Sequence, residues 1–141
     1  MKLEQQVTSL ELSKKLKKLG VEQNSVFYWN NTRCSSSNPD WKIGIDGYED
    51  CRGAISAFNV AELGEMLPKI IFNKKKTSFQ GELFIRYLAG DKEWLIGYEC
   101  HCPVLAKKEE RIVPNFLAKT EADARAKMLI YLIENNLINN K

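Results

Sequence analysis

Hydrophobic residues recur along this chain at two spacings, and the change from one to the other marks out its elements. Near the N-terminus Leu12, Leu16 and Leu19 form a stripe at helical spacing, followed by Gly20, a natural left-handed stop. Ahead of it Thr8-Ser9-Leu10-Glu11 has the form of a capping box, with Val7 placed to staple onto Leu12. A second helix start lies at Asn59, where Glu62 occupies the capping-box position and Phe58 is set to staple onto Leu63. Val60, Leu63 and Leu67 form its core face, Gly64 permits close packing, and Pro68 ends it. The last helix is predicted over residues 120–138. Wound at about 100° per residue, Ala122, Ala126, Leu129, Ile130, Leu132, Ile133 and Leu137 fall within one arc of roughly 160°, with Asp123, Lys127, Tyr131 and Glu134 opposite. Thr120 is its N-cap, and Asp123 stands where a capping-box acid would. Glu121 with Arg125 and Asp123 with Lys127 are acid-first pairs, each worth about 0.2–0.5 kcal/mol. Arg125, near the apolar edge, reads as a snorkelling rim residue.

Elsewhere the period is two. Val26-Phe27-Tyr28-Trp29 is rich in strand-favouring aromatics, and Trp41, Ile43 and Ile45 alternate onto one face, which predicts a hairpin. The polar stretch between them, residues 30–40, has turn chemistry, and the glycine-bearing stretch 46–54 predicts no regular element. Residues 83–88 and 93–100 read as two antiparallel strands around a turn at Ala89-Gly90-Asp91-Lys92, with Trp94, Ile96 and Tyr98 sharing a face. A further strand ends at Ala118, confined to an edge or interrupted by Pro114, and Ile70-Ile71-Phe72 has the makings of a short strand. The expected fold is α+β and a single domain spanning residues 1–141, with residues 1–7 flexible. An antiparallel sheet of about five strands carries helices on one face, in the order α-β-β-α-β-β-β-α.

A length of 141 residues is enough to bury a core without staples, and 44% hydrophobic with 28% charged residues describes a globular chain. The formal charge of +3 is too small to identify a nucleic-acid binder, so an electropositive site has to be a local patch. No signal peptide and no apolar run of membrane-spanning length is present, which places the protein in the cytoplasm with its four cysteines reduced and gives it no membrane partner.

Cys100-His101-Cys102 holds the only histidine between two of the four cysteines, and thiolates with imidazole are preferred zinc donors. In a strand, however, the two cysteines face one way and the histidine the other, and Cys34 and Cys51 lie far upstream without knuckle spacing. Ordinary thiols are therefore expected, with no metal and no cofactor. There is no G-x-S-x-G, H-E-x-x-H or Walker A loop, so no catalytic residue is assigned and the chain is not read as an enzyme. Nucleic-acid binding is the more plausible chemistry. Lys14, Lys17 and Lys18 project from one side of the first helix, and Lys74, Lys75 and Lys76 form a second basic cluster. The order helix, three strands, helix over residues 59–138 resembles a double-stranded-RNA-binding topology. Against it, Glu121 and Asp123 stand where such a domain would present lysines. Phe27, Tyr28 and Trp29 invite base stacking, although consecutive strand residues alternate faces and some must enter the core.

Three phrases carry a resemblance: residues 10–21 with Phe27-Tyr28-Trp29, residues 56–68, and residues 120–138. The wording is most specific in Ala61-Glu62-Leu63-Gly64-Glu65-Met66-Leu67-Pro68 and Glu121-Ala122-Asp123-Ala124-Arg125-Ala126. Together, over about half the chain, they resemble a family of small uncharacterised proteins encoded by bacteriophages, prophages and other mobile elements of bacteria. The resemblance implies a phage-associated origin and a cytoplasmic setting, and it brings no activity or site residues. The expected role is a non-catalytic accessory protein that binds a protein partner or associates with itself, with nucleic acid as the alternative. The first expects a large exposed apolar patch or a symmetric interface, and the second expects the six lysines on one face.

Overall fold

In the computed structural model, which describes residues 2–33, 37–45, 53–72, 80–99 and 113–138, the first helix α1 (Leu10–Lys18) starts one residue later than its capping motif implies. Its N-cap is Ser9, which makes no side-chain cap bond, because Thr8 has been drawn into the core instead. The Thr8 N–H donates to Phe58 O at 2.9 Å, its carbonyl accepts the Trp29 indole N–H at 3.0 Å, and its hydroxyl lies 2.6 Å from that of Ser13. Glu11 does not cap the N–H of the N-cap residue. The Ser9 N–H donates to Asp123 Oδ1 at 2.7 Å, an acceptor 114 residues away on the last helix. At the other end Gly20 takes φ +83°, the Val21 N–H donates to Leu16 O and the Gly20 N–H to Lys17 O, the paired bonds of a Schellman stop. Among the first seven residues, expected to be flexible, Leu3–Gln5 forms a 3-10 turn and Val7 is fully buried, bridged to Asn59.

The predicted hairpin forms as β1 (Tyr28–Asn31) with β2 (Trp41–Gly44), joined by β3 (Ile55–Ser56) on the other side of β1; all pairs are antiparallel. Trp29 sits opposite both Ile43 and Ile55, and α1 packs against β3. The strand begins at Tyr28, not Val26, because the donors ahead of it are taken. The Val26 N–H donates to Glu62 Oε1 at 2.9 Å, the Ser25 hydroxyl donates to Glu62 Oε2 at 2.8 Å, and the Phe27 N–H donates to Ser25 Oγ. Glu62 belongs to α2 (Val60–Met66), where its capping box with Asn59 is complete: the Glu62 N–H donates to Asn59 Oδ1 at 3.0 Å and the Asn59 N–H to Glu62 Oε2 at 2.9 Å. One carboxylate thus caps its own helix and fastens the chain entering the small sheet.

After α2 the chain builds a second sheet from β4 (Ile70–Phe72), β5 (Gln80–Leu88), β6 (Glu93–Glu99) and β7 (Phe116–Ala118), in that spatial order and antiparallel throughout. Period two separates its faces. Ile71, Leu83, Ile85, Ile96, Tyr98 and Ala118 point inward, toward the closing helix α3 (Glu121–Glu134), which packs on β6 and β7 and also touches α1 and α2. Its buried residues, Ala122, Ala124, Ala126, Met128, Leu129, Ile130 and Leu132, exceed the predicted arc by Ala124 and Met128 because neighbours approach from several sides. Thr120 caps its first turn, its hydroxyl accepting the Asp123 N–H. Of the two expected ion pairs only Glu121–Arg125 forms, at 2.6 Å; Asp123 is committed to Ser9, and the Lys127 ammonium donates to Leu117 O. The helix stops at Glu134, a turn before Ile138, because Asn136 adopts φ +53° and a second Schellman pair folds Leu137 back onto the core.

The class is α+β, as expected, but the single sheet of about five strands is not what forms. Among the described residues there are seven strands in two sheets of three and four, and the order is α-β-β-β-α-β-β-β-β-α. The helices accordingly do not share one face of one sheet: α3 covers the larger sheet, while α1 packs against the smaller.

Two stability effects follow. Asp123→Ala removes a charged acceptor from the Ser9 N–H and is expected to lower stability by about 1–3 kcal/mol, read as a reduced urea midpoint with an unchanged slope. The Tyr98 hydroxyl donates to Pro68 O at 2.7 Å, and burial pushes its ionisation well above the ordinary value of 10.0. Folding therefore favours the protonated phenol, so this stability is intact below pH 10 and declines as pH rises beyond it. Tyr98→Phe should cost about 1 kcal/mol at neutral pH and flatten stability above pH 10, measured by denaturant titration across that range.

Candidate functional site

The six lysines proposed for nucleic-acid contact are only partly within view. Lys14, Lys17 and Lys18 are exposed along α1, whereas Lys74, Lys75 and Lys76 lie outside the described residues, as do Cys34, Cys51, Cys100, His101 and Cys102. Two of the three α1 lysines are engaged. The Lys14 ammonium sits 5.0 Å from the centre of the Trp41 ring, a cation–π contact, and Lys17 Nζ donates to Ala54 O at 3.1 Å. Lys18 lines a hollow of about 470 Å³ with Glu11 and Glu134, and Glu134 is in turn paired with Lys15 at 2.9 Å. This helix face keeps a surplus of lysines over Glu11 and Glu134, and two of those lysines brace the small sheet. Near the hairpin end the Thr32 hydroxyl bond holds the Asp40 carboxyl below its ordinary range, against a smaller opposing cost of burial and with help from Lys42. Among the described residues no helix is long and apolar enough to cross a membrane, and no group of three metal-ligating side chains comes together.

The larger sheet is more informative because its two faces differ. On the outer face the register aligns Ile70, Glu82 and Glu99 in one row, Phe84 and Gly97 in the next, and Arg86, Leu95 and Leu117 in a third. Ile70, Phe72 and Leu117 are exposed there at 44%, 61% and 44%, and among the described residues the helix that packs on this sheet, α3, lies on the other face. Arg86 bonds Glu99 at 2.9 Å while its guanidinium lies over the Phe84 ring. Gly97 is necessary to this surface. A Cβ at that position would meet the Asn115 carboxamide oxygen and would sit 2.7 Å from the Phe84 ring. Arg125, expected at a rim, is instead mostly buried against α2, with Nη1 only 3.0 Å from where a Cβ on Gly64 would stand; this is the close packing expected of that glycine.

On the inner face the last row, Tyr87 opposite Trp94, lies beyond the start of α3 and is left uncovered at one end. It forms one wall of an open cleft of about 830 Å³. Phe27, Gln5 and Gln6 stand among the other lining residues, together with Lys92 and the chain entering α2 and α3. The Tyr87 and Trp94 rings are 5.3 Å apart and tilted by 54°, and Tyr87 is half exposed. Lys92 occupies the left-handed region at φ +53°, unusual for a side chain of this size. Sequence patterning places Tyr87 and Trp94 in paired strands and Thr120 marks the start of the covering helix, yet nothing local marks which row of the sheet that helix leaves bare. No family model, curated protein or solved structure matches the chain.

Gly97→Ala is expected to destabilise the fold by about 1–3 kcal/mol through overpacking against Phe84, with a lowered thermal midpoint as the readout.

Proposed function

We propose that the protein is a non-catalytic accessory factor of phage or mobile-element origin, acting in the cytoplasm by binding a protein partner through the outer face of its four-stranded sheet. The observation that supports this reading is the exposure of Ile70, Phe72 and Leu117 on a face that also holds Phe84 and Leu95. Keeping apolar side chains wet costs roughly 25 cal/mol per Å², and here they stand on the two edge strands of the sheet with Phe84 and Leu95 between them. The Arg86–Glu99 pair lies on the two central strands between these side chains and offers directional contacts, in which charges contribute more to specificity than to affinity. The origin rests on the resemblance in residues 56–68 and 120–138. The α1 lysines support a nucleic-acid role less well, since Lys14 and Lys17 already have partners inside the fold.

The test is affinity capture from infected or lysogenic cells, with nuclease treatment to remove whatever is held through nucleic acid. A partner retained after nuclease and lost with Phe72→Asp or Leu117→Asp is the expected result. Because both side chains are exposed, these variants should keep the wild-type circular dichroism spectrum and lie within about 0.5 kcal/mol of its stability. Equal capture by wild type and both variants would exclude this face.

A further inference from the structure

We infer that the cleft at the uncovered end of the inner sheet face is a nucleotide site, with Tyr87 and Trp94 as its ring-stacking wall and Lys92 as its phosphate contact. The inference is independent of the protein-binding face, which lies on the other side of the same sheet. A cleft of about 830 Å³ falls within the range of small-ligand sites, and what lines it narrows the chemistry. Phe27, Tyr87 and Trp94 supply aromatic surface suited to a planar ring. Gln5 supplies an amide, the side-chain group that both donates to and accepts from the edge of a base.

Charge selects the rest of the ligand. Of the acids beside the cleft, Glu121 pairs with Arg125 at 2.6 Å and Glu93 with Lys119 at 3.0 Å, while Asp91, next to Lys92 on the turn, makes no ion pair among the described residues. Lys92 makes no ion pair or hydrogen bond among the described residues. The residues that line the cleft include two lysines, Lys92 and Lys119, against one acid, Glu121, and this lining favours a ring that carries an anionic group. Lys92 also holds a backbone conformation that glycine adopts freely and lysine does not. Lys92 is the last residue of the four-residue turn between β5 and β6, so the left-handed backbone that closes the hairpin also sets this cation among the residues lining the cleft.

Two sources of this chemistry are distinguishable: a free nucleotide, and a nucleotide within a single strand. The experiment measures anisotropy of a labelled short oligothymidylate and competition by AMP, at low and moderate salt. The proteins compared are the wild type, Tyr87→Ala, Lys92→Gly and, as a remote control, Lys42→Ala. Saturable binding is expected, weakened about tenfold by Tyr87→Ala through lost stacking and several-fold by Lys92→Gly, the latter also reducing the salt slope by about one. Lys42→Ala should bind as wild type. Lys92→Gly should at the same time raise the thermal midpoint, because it relieves the left-handed backbone; a merely structural role would not give opposite movements in stability and binding. An oligonucleotide bound far more tightly than AMP identifies the strand as the source, and comparable affinities identify the free nucleotide. Absence of saturable binding by either probe, or binding indifferent to both cleft variants, overturns the inference. So does a protein partner whose capture depends on Tyr87 while neither probe binds.

Discussion

The burial of α3 on several sides at once is the constraint on which the rest of the structure depends. Its first half is lined with alanines at 122, 124 and 126, and these small side chains let the larger sheet, α1 and α2 all approach closely. Further along, Met128, Leu129, Ile130 and Leu132 fill the space where those elements diverge. A core residue lost here leaves a cavity that several elements share, and partial collapse cannot close it. The polar contacts reinforce the same junctions. Asp123 holds the start of α1, and Arg125 lies across the glycine that lets α2 come near.

Local signals were legible wherever both partners lie within a few residues of each other. The capping box of Asn59 and Glu62 formed as read, as did the Gly20 stop, the turn at residues 89–92 and the alternation along β5 and β6. Signals that needed a distant partner failed. Thr8 and Glu11 have the spelling of a capping box, but Thr8 gains more by bonding Phe58, Trp29 and Ser13 in the core, and an acid from the far end of the chain replaces Glu11. Asp123 was read as capping its own helix for the same reason. The division into two sheets is hidden because β3 is two residues long, too short to show any period, and the end of α3 is hidden because Asn136 adopts a left-handed conformation that its residue type permits without announcing.

The surfaces were less legible than the core. Lysine charges can be counted in a sequence, but the cation–π contact of Lys14 and the carbonyl bond of Lys17 depend on where the small sheet comes to rest. Alternation along β5 and β6 tells the two faces of the larger sheet apart, with Glu82, Arg86 and Glu99 all on one side, but it does not say how far α3 covers the other. Where that helix begins, one row of the inner face is left open. The cleft is thus a consequence of helix position over the sheet, with no motif of its own.

The bond between Ser9 and Asp123 also has a consequence for how the chain is made. The first helix and the last are mutual neighbours, and a backbone donor near the N-terminus waits for an acceptor that is synthesised 114 residues later. Until α3 has emerged from the ribosome, the larger sheet lacks its cover and α1 and α2 lack a shared neighbour, so the inner face stays exposed to solvent and to other nascent chains. A fold closed by such long-range contacts gains its cooperativity late, and folds more slowly than one assembled from neighbours in sequence. A translational stall or premature stop before residue 121 would therefore release a chain without its core, a substrate for proteolysis and not a smaller working protein.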